Sequence, residues 1–133
     1  MIDFNEIFNN SFERVHKNSR DFYIDFYREF VASSPVIRDM FSNVDMEEQQ
    51  SMLQDSMLHL VSFLATKQSD AYLEDLAASH LKAHKVTREM YDWWLDAMLT
   101  TVQRHDTKFN HHVEVAWRIA LAPGIAFMKY YRD

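Results

Sequence analysis

The sequence predicts an all-α fold, on three observations. One Gly and two Pro in 133 residues are too few turn-forming residues for the many tight reversals of an all-β chain. Apolar residues recur at steps of three and four along most of the length, which is the period of an amphipathic helix. Short polar or proline-containing breaks separate these stretches, as between packed helices.

The first helix is expected from Ile2, Phe4, Ile7, Phe8, Phe12 and Val15, ending near the polar HKNSR. Ser19 can then cap a second, in which Phe22, Phe26, Phe30 and the adjacent row Tyr23, Tyr27 make one broad aromatic face, since residues four apart are neighbours on a helix. Ser33-Ser34-Pro35 should stop it, because the residue before a proline is biased away from helical geometry. Pro35 itself suits the first turn of a short helix, PVIRDMF. Asp45 followed by Glu48 has the form of a capping box, opening a long helix whose stripe reads Met46, Gln50, Leu53, Met57, Leu60, Leu64. A glutamine in that stripe is its odd member.

The next helix begins around Ser69 or Asp70 and carries Leu73, Leu76 and His80 on one face, closing towards Val86 with a cap expected at Thr87. Met90, Tyr91, Trp94, Leu95, Met98, Leu99 and Val102 mark another. RHDTK separates it from a last helix carrying Phe109, Val113, Ala116, Trp117, Ala120, Leu121, Phe127 and Tyr131. Pro123 and Gly124 fall inside this helix, where the missing N–H and the ring should bend it. Ala120, Ala122, Gly124 and Ala126 would let a second backbone approach closely, from the core or from another subunit in a homodimer. The total is six sizeable helices and one short turn, in one domain spanning residues 1–133 with a substantial core.

A net charge of −6 argues against a nucleic-acid backbone as partner. No window reaches the roughly 18 apolar residues of a membrane span, and MIDFNEIFNN lacks a basic segment followed by an apolar run. A soluble, cytoplasmic protein is expected. With no cysteine, disulfides, thiolate nucleophiles, iron–sulfur centres and covalent c-type haem attachment are excluded. Ten Phe, six Tyr, three Trp and eight Met suit a large flat ligand as well as an ordinary aromatic core.

No Ser-His-Asp order, glycine-rich phosphate loop or acid/base pair of carboxylates stands out, so a catalytic constellation made only of side chains is not expected. The histidines carry the remaining signal. His80 and His84, four apart, share a helix face and could chelate zinc or one iron of a pair, but a closed site needs more ligands. None of the other histidines falls in the Glu-x-x-His pattern of di-iron bundles, and His84, His105, His111 and His112 are assigned to the surface by default. An imidazole on the apolar face of a helix needs a partner, because a buried polar ring without one costs about 1–3 kcal/mol.

The ordered set FYREFVASSPVIRDMF, then glutamines at the start of a long helix, then L-x-x-x-H with Val86 six residues on and Tyr91 five further, resembles a bacterial single-domain globin or the sensor domain of a globin-coupled sensor. The likeness covers nearly the whole chain. It implies a globin fold with helices around a haem pocket, a short or absent fourth helix, and haem b (iron protoporphyrin) as cofactor. By the same resemblance His80 is the axial metal ligand, its second ring nitrogen donating about one turn back, to the carbonyl of Leu76. Phe41 packs on the porphyrin, Tyr27 is the distal tyrosine, and a second distal donor comes from Gln49 or Gln50. Leu53 caps the distal pocket, His84 lies near a propionate, and Val86 and Tyr91 complete the proximal side.

An O₂ ligand draws negative charge, so a hydroxyl donor in a dry pocket should slow its release, and carbon monoxide should gain less. Two departures from flavohaemoglobin-like chains matter. The segment between His80 and Val86 is one residue longer, and FMKYYRD at the end of the last helix lacks the glutamate that those chains pair with a tyrosine like Tyr91. A peroxidase-like electron push is therefore in doubt. The resemblance implies reversible binding of O₂ or other diatomic gases, for carriage or sensing. The alternatives are a nitric oxide dioxygenase served by an external reductase, and a haem-less interaction domain.

Overall fold

The computed structural model describes residues 1–132, so Asp133, the last residue of FMKYYRD, lies outside the described residues. Among the described residues there are seven helices and no strand: α1 (Phe4–His16), α2 (Ser19–Ala32), α3 (Pro35–Met40), α4 (Met46–Thr66), α5 (Ala71–Lys82), α6 (Arg88–His105) and α7 (His111–Tyr130). The all-α expectation holds, with α3 as the short turn. Only the turn and bend of residues 41–45 lie between α3 and α4, with no further helix there.

Side-chain caps set most starts. Asp3 accepts from the N–H groups of Asn5 and Glu6, Ser34 from Val36, Asp45 from Glu47 and Glu48, Asp70 from Leu73 and Asn110 from Val113. Each satisfies donors that the first helical turn leaves unpaired. Several expected boundaries move, Phe41 and Tyr131 being the C-caps just beyond α3 and α7. Ile2 precedes the Asp3 cap and is exposed, outside α1. Ser19 is the first residue of α2 rather than its cap, which is Asn18, whose side-chain amide is turned to Asp21 at 2.8 Å instead. Phe109 precedes the Asn110 cap of α7.

The aromatic face of α2 is buried as its spacing predicts, with Phe22, Tyr23, Phe26, Tyr27 and Phe30 all inside. It packs mainly on α6, while α7 packs on both α1 and α4. α7 runs without interruption through Pro123. A Cβ on Gly124 would lie 2.7 Å from Leu60 Cδ2 and 3.2 Å from both the Cα and the carbonyl oxygen of Leu60. The glycine is therefore where α7 and α4 touch backbone to backbone. Ala120 and Gly124 are buried while Ala122 and Ala126 are exposed, so the buried half of the small-residue stripe serves the core.

The RHDTK break hides a buried polar cluster. Asp106, 2% exposed, accepts from Ser11 Oγ at 2.6 Å and from Arg14 at 2.6 and 2.9 Å, while Trp117 Nε1 donates to Ser11 Oγ at 2.8 Å. Burial pushes the Asp106 carboxyl up, but the bonds from Arg14, Ser11 and the Lys108 N–H together hold it below its ordinary value. His105, assigned by default to the surface, is half-buried instead, with Nε2 3.0 Å from Asp25 Oδ2, tying α6 to α2.

Candidate functional site

One mostly apolar cavity of about 260 Å³ collects side chains from six of the helices. Tyr27, Phe41, Gln49, Leu53, His80, His84, Val86 and Tyr91, all singled out from the sequence, line it. Gln50 is half-buried but is not among the lining residues, so of the two glutamines it is Gln49 that faces the cavity. Helix α2 packs on α3, α4 and α6, whereas α5 packs on α4 and α7. Tyr27 and His80 thus reach the cavity from walls that are not direct neighbours.

His80 stands two residues from the end of α5. Burial, with a smaller contribution from His84, lowers its pKa to about 4, so the ring is neutral at pH 7 and a nitrogen lone pair is free to ligate. Its Nδ1 lies 3.2 Å from the Tyr91 hydroxyl. The partner that the fold provides is thus a phenol on α6, not the Leu76 carbonyl expected one turn back. Burial raises Tyr91 to about 12, which keeps the phenol protonated. His84 is exposed at the rim, its ring centroid 6.2 Å from that of His80.

Helix α5 closes on a left-handed turn that carries the chain from His80 to Val86. The His84 N–H reaches five residues back to the Ser79 carbonyl at 3.1 Å, and the Val86 N–H six back to the His80 carbonyl at 2.8 Å. Lys85 takes a left-handed φ of 52° to allow it, a conformation that glycine or asparagine adopts more readily. This puts Val86 into the cavity wall.

Tyr27 is 5% exposed, and burial pushes its hydroxyl well above the ordinary phenol range. That hydroxyl donates to the Gln49 backbone carbonyl at 3.4 Å, a long and therefore weak bond. It remains available to a better acceptor. Phe41 meets Tyr27 edge-on at 5.6 Å between ring centroids.

A family model described as Globin matches residues 24–127. The chain belongs to the globin family. A solved structure from Pseudomonas aeruginosa PAO1, described as structurally highly homologous to a human hemoglobin, shares 38% identity with it and superposes with a TM-score of 0.88. The alignment covers 98% of this globin and 100% of that chain. No curated protein matches.

Sequence reasoning missed several walls of the cavity in this globin. Ile125 and Met128 enter from α7, and Ser56 from α4. Ser56 completes a Leu53, Ser56, Met57, Leu60 spacing of three and four, but a serine carries no hydropathy signal. Its hydroxyl bonds to the Met52 carbonyl at 2.8 Å and to the Tyr72 hydroxyl at 2.9 Å, so it presents little polarity to the cavity. Tyr72 stacks flat on His59 at 3.9 Å, with His59 Nδ1 2.6 Å from Asp70.

The donor set suits the cofactor that the family implies. A lone imidazole cannot hold a bare metal ion, and among the described residues no group of three His, Cys, Asp or Glu side chains could. A metal held by His80 must bring its other ligands with it, as a porphyrin does. The apolar walls suit such a flat macrocycle, and the exposed Val44 and Met52 at the lining leave an edge open for its polar groups. No helix of the described residues is long and apolar enough to cross a membrane.

Proposed function

We propose that this globin holds haem b in the cavity through His80 and reversibly binds O₂ and other diatomic gases, as a carrier or a sensor. The observation that supports this reading best is a neutral imidazole, His80, and a loosely bonded phenol, Tyr27, brought to one apolar cavity from separate helices. When bound, the haem supplies an open coordination position for a diatomic ligand.

The chain's own residues do the rest. With Nε2 left to hold the metal, Nδ1–H would donate a hydrogen bond to the Tyr91 oxygen at 3.2 Å, which would fix ring rotation and raise ligand basicity. Tyr27 stays protonated and donates its hydroxyl hydrogen to a bound ligand that carries negative charge. Phe41, Leu53 and Leu60 exclude water, so that this bond is not weakened by competing solvent.

Titrating the haem-free chain with haem tests the reading. The expected result is saturation at one equivalent with an intense Soret band, and a changed coordination spectrum in the His80→Ala/His84→Ala variant, where the nearby imidazole cannot substitute. A chain that takes up no haem, or a variant whose spectrum matches the wild type, would overturn it.

A further inference from the structure

We propose that a second cleft, on the far side of Tyr91, binds a small phosphate-type oxyanion and that its occupancy is felt at His80. This cleft, of about 430 Å³, lies where the end of α5, the start of α6 and the end of α7 meet. Arg88, Lys129 and Arg132 line it, with Glu89 the one carboxylate on the wall among the described residues. In a chain of net charge −6, three cations around one cleft run against the overall field.

Two of these cations lack a carboxylate partner, although the Arg132 guanidinium donates to the backbone carbonyl of Tyr131. Neither Arg88 nor Arg132 is paired with a carboxylate among the described residues. The Arg88 guanidinium sits over the Tyr130 ring, its carbon 4.9 Å from the centroid. A guanidinium held against an aromatic ring keeps the planar N–H fork that can meet phosphate oxygens in pairs. Lys129 is held 2.8 Å from Asp92, whose side chain is 59% exposed, a solvent-screened pair that costs little to reshape around an anion. The first turn of α6 opens on the same cleft, with no side-chain cap from Thr87, so its backbone N–H groups add donors.

The link to the larger cavity is structural. Val86, Tyr91 and Met128 line both spaces, and the Tyr91 hydroxyl is the one 3.2 Å from His80 Nδ1. An anion drawing Arg88 and the start of α6 inwards displaces Tyr91, and with it the hydrogen bond that orients the imidazole. The consequence for gas affinity rests on the haem reading; the anion site does not.

The test uses the full haem-free chain and inorganic pyrophosphate. Calorimetry should show one site, weakened about tenfold or more in Arg88→Gln and in Arg132→Gln, as loss of one charge-assisted partner requires. Arg28→Gln, a charge change on an exposed position of α2, should alter the affinity by less than about twofold if the cleft rather than net charge binds the ion. With each protein saturated with pyrophosphate, the His80 ring resonances should have moved in the wild type and not in Tyr91→Phe. A parallel titration with a nucleoside diphosphate distinguishes a free ion from a nucleotide as the natural source. Absence of binding, or equal weakening by Arg28→Gln, overturns the site, and His80 shifts that persist in Tyr91→Phe overturn the coupling. No measurement here involves haem, so failure of this proposal and failure of the gas-binding one are separable.

Discussion

Replacing Tyr27 by Phe removes one oxygen from a mostly apolar wall, and the worth of that oxygen differs with and without a ligand. Without a gas ligand the one hydrogen bond of this hydroxyl among the described residues is the 3.4 Å contact to the Gln49 carbonyl, so the variant should lose less than about 1 kcal/mol of fold stability. With a negatively polarised ligand in reach, the same hydroxyl makes a charge-assisted bond worth about 1.5–3 kcal/mol. That loss corresponds to O₂ release about ten- to a hundredfold faster. Stopped-flow displacement of O₂ from the haem-loaded protein reads the rate directly, with carbon monoxide as the internal comparison because its smaller charge predicts a smaller change. Thermal unfolding of the haem-free variant reads the other half. An O₂ off-rate within twofold of wild type, in a variant that still binds haem, would remove the hydroxyl from the mechanism.

The remaining predictions concern the walls. Because Gln49 and not Gln50 lines the cavity, Gln49→Ala should change O₂ release while Gln50→Ala leaves it as in wild type; equal effects would contradict the observed helix register. Gly124→Ala should destabilise by about 1–3 kcal/mol, since its Cβ would press on Leu60 backbone atoms at 3.2 Å, and a variant melting at or above the wild-type temperature would refute the close approach. Asp106→Asn should cost about 2–3 kcal/mol at pH 7 by leaving Arg14 without its charged acceptor. Its pH dependence follows from the lowered folded pKa: the contribution is fully present above the unfolded value, about 3.9, and fades as pH falls below it through the folded value. Denaturant midpoints measured from pH 5 downward should therefore fall more steeply in wild type than in the variant.

Period and caps made the helices readable. An apolar step of three and four fixes which face of each helix turns inward, and the Asp45 and Asp70 caps are local devices that need no tertiary partner. So the aromatic face of α2, the short α3 after Ser34, and the stripe leading to His80 all lay where their spacing put them. The spacing of Tyr27, Pro35, Phe41 and His80 carried the family resemblance, and with it most of the residues that line the cavity.

What spacing could not decide was anything set by which helix meets which. Two adjacent glutamines differ by about 100° around a helix, and only the packing of α4 against its neighbours determined that Gln49 looks inward. The partner of His80 Nδ1 came from α6, eleven residues away, beyond the turn that ends α5. Asp106, in a stretch with no hydropathy signal, proved to be a buried hub because Ser11, Arg14 and Trp117 arrive from elsewhere in the chain. Local chemistry thus determined the helices and their inward faces, whereas hydrogen-bond partners and the shape of the cavity were decided by long-range packing, which brings together groups that no local pattern relates.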